Sequence, residues 1–296
     1  MKNITKLGLS LAVIFGLTAC GANSNAPANE TPAKEEAVVE ETKTATNDPL
    51  ADKDVIKVGV VGENNEAWED VAARYKEGTG KTLEIVRFSE YREPNEALLS
   101  GDIDINAFQH KKFLEDFNAA AGSDIVAIAD TVIAPLGIYS SKITDLADLT
   151  DGARIAIPDD PTNGARSLFL LQSAGLIEVS GSEGDAITVN EITANPRNFE
   201  IIELSAAQTA RSLDDVDIAC VNSGIAVDAG FIPTEDAIFL EDGNDPNKEI
   251  YVNVIATVPS NADSETLKDF IDNYYYTDQT KKVIEESTKG SSIVVW

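Results

Sequence analysis

The sequence predicts an α/β protein of two lobes built on parallel sheets. Three observations carry this. From Val55 onward, β-branched runs alternate with stretches of helical spacing, the rhythm of βα units in parallel sheets. A helix–turn–strand unit recurs, closing once at Asp102-Ile103-Asp104-Ile105-Asn106 and again at Asp215-Val216-Asp217-Ile218, with Asn222 soon after. Finally, 296 residues that are 43% hydrophobic suit about two domains, each with its own core.

The elements follow in order. Val55–Val61 is a β-branched strand that stops at Gly62. Residues 66–75 have helical spacing, stopped by Gly78-Thr79-Gly80, and Thr82–Phe88 is a second strand. Residues 94–99 form a short helix with Pro94 near its start, where a missing N–H costs nothing, and Gly101 ends it. A strand at 103–108 and a helix at Lys111–Ala121 complete the first series. The second series has strands at 154–157, 199–204 and 216–221, with helices at 163–174 and 206–213. A late strand at 251–258 precedes helices at 264–276 and Asp278–Ser287. Cys220 lies in an apolar run with no basic neighbour to lower its pKa, so it reads as a small buried core residue.

Ahead of this body stands an address. Lys2 and Lys6 precede an apolar stretch at 7–17, which at 1.5 Å per residue is too short to cross a bilayer of about 30 Å. It reads as the core of a signal peptide over residues 1–19. Leu17-Thr18-Ala19-Cys20 resembles a bacterial lipobox, which makes Cys20 the lipidated mature N-terminus, anchored in the membrane by two or three acyl chains. Residues 21–54 are rich in Ala, Glu, Thr, Asn and Pro and lack aromatics, so they are expected to be a disordered acidic tether. The segments thus read as 1–19 signal and 20–54 anchor with tether.

Charge and composition exclude several classes. With 51 acidic against 23 basic residues the net charge is −28, which argues against nucleic acid as a partner and against a basic lipid-docking surface. One His and two Cys leave too few ligands for a zinc site and no disulfide framework. The chain has no nucleophile elbow, phosphate loop or dinucleotide fingerprint. No catalytic residue, metal or cofactor is therefore assigned. A lipid-anchored two-lobed body has the profile of a solute receptor that closes on its ligand about a hinge.

Three clusters then stand out. Tyr91 follows the end of the second strand, and Phe108 and His110 lie at the carboxyl end of the third, so the three suit an aromatic wall for an apolar or thioether group. Taken alone, Phe108 fits a core position equally well and His110 an exposed one. Asn163 and Arg166 open a helix after a Pro-rich turn, with Asn163 as a natural cap and Arg166 offering a planar fork to a carboxylate. A capped helix with a surface arginine fits that run as well. Asn222, at the end of the strand through Val221, adds a polar amide. Together these groups provide for a zwitterionic amino acid.

The motifs Tyr91-x-x-Pro94-Asn95-x-Ala97-Leu98, Phe108-Gln109-His110, Ile157-Pro158-x-Asp160-Pro161-Thr162-Asn163-x-x-Arg166-Ser167 and Ala206-Ala207-Gln208-x-x-Arg211-Ser212-Leu213 resemble, in order, those of the NlpA/MetQ lipoproteins. Gly101-Asp102-Ile103-Asp104 and Pro135-Leu136-Gly137-Ile138-Tyr139-Ser140 belong to the same set. The resemblance implies a type II periplasmic-binding-protein fold, with one lobe from 55–137 plus 251–296 and the other from 138–250. It implies L-methionine in the cleft, with Tyr91, Phe108 and His110 around the side chain and Asn163, Arg166 and Asn222 around the amino-acid head. It further implies a monomeric receptor, held by lipid on the extracytoplasmic face of the cell membrane, that serves the permease and ATPase of an ABC importer. D-methionine, a methionine-containing dipeptide, or a non-transport surface role remain as alternatives.

Overall fold

Two separate sheets organise the chain, which crosses between them twice. The computed structural model describes residues 48–296. The signal segment, Cys20 and the tether through residue 47 lie outside the described residues.

The first stretch runs β1 (Val55–Val61), α1 (Glu66–Thr79), β2 (Thr82–Phe88), α2 (Glu93–Ser100), β3 (Ile105–Asn106), α3 (Lys111–Ala121) and β4 (Val126–Ile133). The chain then crosses into β5 (Gly137–Tyr139), β6 (Arg154–Pro158), α4 (Pro161–Ser173), the small ribbon β7 (Glu178–Val179) and β8 (Ile192–Ala194), and β9 (Glu200–Leu204). That stretch continues through α5 (Ala206–Thr209), β10 (Ile218–Val221), α6 (Ser223–Asp228), α7 (Pro233–Asp236) and β11 (Phe239–Leu240). It returns through β12 (Val252–Thr257), α8 (Glu265–Phe270), α9 (Asp278–Ser287) and β13 (Ile293–Val294). The larger sheet has the order β13-β4-β12-β3-β1-β2 and the smaller one β11-β5-β10-β6-β9.

The parallel expectation holds only for the heart of each sheet. β2-β1-β3 and β9-β6-β10 are parallel, whereas β4, β12 and β13 pair antiparallel in the first sheet and β5 and β11 in the second. Four of them, β4, β5, β11 and β12, flank the two crossovers. β4 passes directly into β5, and only a 3₁₀ helix at Pro246–Tyr251 separates β11 from β12, so neither link is the long α-helical crossover that joins parallel neighbours.

Side chains alternate across each sheet with the period of two that a strand imposes. On β12, Val254 and Ala256 enter one core with Leu98, Phe113 and Phe117, while Ile255 enters another with Trp68, Val71 and Phe270. On β10, Ile218 and Cys220 face one side and Ala219 and Val221 the other. Both sheets are therefore covered on both faces, as near-continuous apolar strands require. Cys220 is fully buried, and that burial pushes its thiol up to about 12, as expected of an inert core residue. No helix among the described residues is long and apolar enough to cross a membrane.

Several boundaries differ from expectation for identifiable reasons. The strand expected at 103–108 shrinks to Ile105–Asn106, because the Asp104 carboxylate accepts from Lys57 N at 2.9 Å and the chain leaves the sheet after Asn106. The helix expected at 206–213 divides into α5 and a tighter 3₁₀ turn at Ala210–Asp214. The helix expected at 264–276 divides into α8 and a π-helical turn at Ile271–Tyr275, which keeps Ile271 and Tyr275 both buried. Strand β4 escaped sequence reading.

Residues 48–54, expected in the tether, belong instead to the folded body. Leu50 is only 2% exposed and belongs to the core around Trp68. The Asp48 carboxylate accepts from Thr266 N at 2.9 Å and Thr266 Oγ1 at 2.7 Å at the start of α8. One apolar anchor and one helix-start contact thus extend the folded body back to residue 48. A chain beginning at Val55 should lose about 3 kcal/mol, roughly 2 from Leu50 burial and 1 from the Asp48 contacts. Urea denaturation of chains beginning at residues 46 and 55 checks this.

Candidate functional site

The parallel strands β1, β2, β3, β6, β9 and β10 all end toward one cleft, the place where open α/β sheets gather ligand groups. The loops after β1, β2, β3 and β10, together with the first turn of α4, line a cavity of about 210 Å³, room for a small organic molecule. All six residues expected from sequence, Tyr91, Phe108, His110, Asn163, Arg166 and Asn222, line this one cavity.

The aromatic wall is a cluster of rings. Tyr91 and Phe108 stack with centroids 6.1 Å apart, and Phe113 of α3 meets them edge-on at 6.0 and 5.9 Å. Phe113 was not expected at the site. Behind the wall is a buried amide ring. Asn95 Nδ2 donates to Gln109 Oε1 at 2.8 Å, and Asn106 Nδ2 and Gln109 Nε2 both donate to Asn95 Oδ1 at 2.8 Å. This ring ties α2 to the segment that carries Phe108 and His110, so the wall is held by satisfied polar groups.

His110 is 5% exposed and caps α3: its Nδ1 accepts from Phe113 N at 3.1 Å. That fixes the proton on Nε2, which lacks a partner and belongs to a residue lining the cavity. Burial, helped by the positive charge of Arg166, lowers its pKa to about 3. The unfolded chain therefore binds a proton below about 6.5 that the fold refuses down to about 3. Stability should be fully present above about 6.5 and fall with pH through this window, by up to about 1.4 kcal/mol per pH unit. Asp160, whose carboxyl burial pushes up, titrates with the opposite sign. His110→Gln should flatten the slope of urea-derived stability between about pH 5 and 6.5.

On the opposite wall the cap is Asp160, not Asn163: its carboxylate accepts from Asn163 N at 2.9 Å. Aspartate just ahead of Pro161 takes the cap because Pro161 occupies the first helical position. Asn163 instead orients its neighbour. Its Nδ2 donates to Asp160 at 3.0 Å, and its Oδ1 accepts from Asn222 Nδ2 at 2.8 Å. That leaves Asn222 Oδ1 as a buried acceptor without a partner.

Arg166 is no surface residue: it is 2% exposed. Nor is its whole fork open. Nε donates to Glu241 Oε1 at 3.1 Å, and Nη2 donates to Glu241 Oε2 and to Ala134 O at 3.1 Å. The guanidinium lies over the Tyr251 ring, 4.1 Å from its centroid. Lys248 Nζ meets Glu241 at 2.9 Å and Glu183 at 2.9 Å. Burial works against the Glu241 anion, but Arg166 and Lys248 hold its pKa down at about 2. Sequence reading missed Glu241, Lys248 and Tyr251, since nothing in a short loop after β11 announces a buried carboxylate. Of the residues lining the cavity, Arg166 is the one cation, and none is Asp or Glu.

The lobes also touch at the cleft rim. Asp228, the last residue of α6, accepts from Glu63 N at 2.9 Å and Asn64 N at 2.8 Å. Gly62 sits there at φ +88, and a β-carbon on it would overlap Asp228 Oδ2. Across the rim, Thr162 Oγ1 donates to Asp116 at 3.0 Å.

The family model described as NlpA lipoprotein matches residues 56–296. This chain belongs to the NlpA lipoprotein family. Among curated members, the D-methionine-binding lipoprotein MetQ of Escherichia coli K12 is 40% identical over 248 residues, covering 83% of this chain and 90% of MetQ. The nutrient-binding protein of Burkholderia cenocepacia, solved bound to methionine, aligns with TM-score 0.77 and 39% identity over 81% of this chain and all of that one. The substrate-binding protein of a Streptococcus pneumoniae methionine transporter aligns with TM-score 0.76 and 39% identity, over 82% and 96%. The NlpA lipoprotein fold seen here is accordingly the two-lobed α/β fold of substrate-binding proteins.

Proposed function

We propose that this chain captures L-methionine between its lobes and delivers it to the permease of an ABC importer, driven by a cytoplasmic ATPase. The observation that carries the reading is a charge and hydrogen-bonding set beside the aromatic wall: one arginine, one buried amide oxygen and one buried imidazole N–H without partners, and no carboxylate in the lining. Such a set matches a zwitterion with an apolar tail. In this reading Arg166 holds the carboxylate, Asn222 Oδ1 accepts from the ammonium, and Asn163 holds Asn222. Tyr91, Phe108 and His110 flank the thioether, which packs well at ring edges. The names of the methionine-binding relatives support it.

The receptor works as a monomer without chemistry of its own, held on the extracytoplasmic face by acyl chains on Cys20. Residues 55–137 with 251–296 move as one lobe and 138–250 as the other, hinged at the two crossovers. The relative named for D-methionine favours a second reading in which that enantiomer binds the same cleft. Methionine offers nine non-hydrogen atoms, at most about 13 kcal/mol, and nanomolar affinity needs about 12, so tight binding demands near-complete enclosure. Titration calorimetry of the intact lipoprotein in detergent with L- and D-methionine tests both readings. Submicromolar binding of the L form is expected, and no heat with either enantiomer would refute the assignment.

A further inference from the structure

We infer that Glu241 is a positioning residue for ligand recognition: by occupying one edge of the Arg166 guanidinium it fixes which edge remains for the ligand carboxylate. The inference rests on the function proposed above and goes beyond it to a residue outside the cavity lining.

The geometry leaves the guanidinium little freedom. Glu241 takes Nε and Nη2 together, the bidentate arrangement that matches a carboxylate to the planar fork. Ala134 O accepts from Nη2 as well, and the Tyr251 ring sets the plane of the group from 4.1 Å. Nη1 alone has no hydrogen bond among the described residues, and Arg166 lines the cavity. Glu241 is itself immobilised, since it also accepts from Leu136 N at 3.1 Å and from Lys248 Nζ at 2.9 Å. Leu136 and Ala134 lie on the first crossover between the sheets, and Glu241 stands where the second begins, just after β11. The arginine is thus aimed by a backbone carbonyl on the first hinge segment and by the Glu241 side chain on the second, and a ligand arriving at Nη1 meets a donor held in place beforehand. The ordering cost of such a donor is met during folding and not on binding.

A carboxylate that merely balanced charge, or merely supported the fold, predicts different outcomes. Titration of the intact lipoprotein with L-methionine and with L-methioninamide, which lacks the carboxylate, separates them. Glu241→Gln should weaken methionine at least tenfold and methioninamide less than threefold. In an Arg166→Ala background the same change should add less than twofold, because its effect acts through the arginine. Equal losses for both probes, or an additive loss without Arg166, would show a structural role and overturn the assignment. Methionine affinity that stays constant or rises would show that Glu241 only neutralises charge, overturning it too. Should Glu241→Gln not fold, Glu241→Asp keeps the charge but withdraws the fork contact, and the same selective loss is expected. A wild type that binds neither probe refutes the proposed function, and this assignment with it; selective failure of the variants leaves that function standing.

Discussion

Arg166→Ala should reduce methionine affinity by two orders of magnitude or more, leaving a folded protein. The substitution removes the one cation lining the cavity, so a ligand carboxylate would be enclosed without a charged partner. Breaking a buried charge pair typically costs about 3–5 kcal/mol, and hydrogen bonds to charged groups contribute about 1.5–3 each. The fold survives because Glu241 keeps Lys248 and Leu136 N as partners. It becomes more sensitive to acid, however. With its pKa at about 2, Glu241 contributes stability that is present above its ordinary value near 4.5 and lost as pH falls through about 2. Without Arg166 that pKa rises, and the stabilisation shrinks and disappears at higher pH. Calorimetry gives the affinity loss, and urea denaturation at pH 3 and pH 7 gives the acid sensitivity. Arg166→Lys keeps a charge without the fork and should fall between wild type and alanine.

Gly62→Val should weaken methionine by roughly 10–100-fold without touching any of the ligand-facing groups. Two physical effects combine. At φ +88 a β-branched residue is strained by about 1–2 kcal/mol or more. Its β-carbon would also displace Asp228, which ends the paired contacts to Glu63 N and Asn64 N across the rim. Those contacts are charge-assisted but exposed, so they contribute less than buried ones. Under the proposed hinge motion the cost falls on the arrangement in which the lobes meet, and it should appear as faster ligand escape more than slower capture. Stopped-flow dissociation rates check the assignment. Asp228→Asn should give the same direction with a smaller effect, and an unchanged off-rate in both would remove the rim contact from the closing mechanism.

Much of this architecture was legible in the sequence because it depends on local patterns. Val55–Val61 and Thr82–Phe88 are strands to the residue, since β-branched runs between turn signals specify them directly. Gly80 and Gly101 end helices as expected, each in the left-handed conformation that glycine permits. The six candidate residues meet in one cavity because each follows a strand end or opens a helix, positions that parallel topology directs to one side. What could not be read depends on long-range pairing. Glu241 is separated from Arg166 by 75 residues and Asp228 from Glu63 by 165, so no window of sequence contains either pair. Asn163 and Asp160 show a subtler limit. Both are good caps three residues apart, and only the placement of Pro161 at the first helical position decides between them. Composition alone places residues 48–54 in the tether, yet a single leucine and a single aspartate fasten them to the body.

The buried thiol of Cys220 has a practical consequence. From residue 48 to the C-terminus the chain contains no other cysteine, and this one is fully enclosed with its reactive thiolate suppressed. A body expressed from residue 48, without Cys20, is therefore a near-silent background for maleimide chemistry. Cysteine pairs introduced at exposed sites on opposite lobes would be the only positions to take fluorophores or spin labels. Opening and closing could then be followed as an inter-dye distance on single molecules, with every photon assigned to a chosen pair.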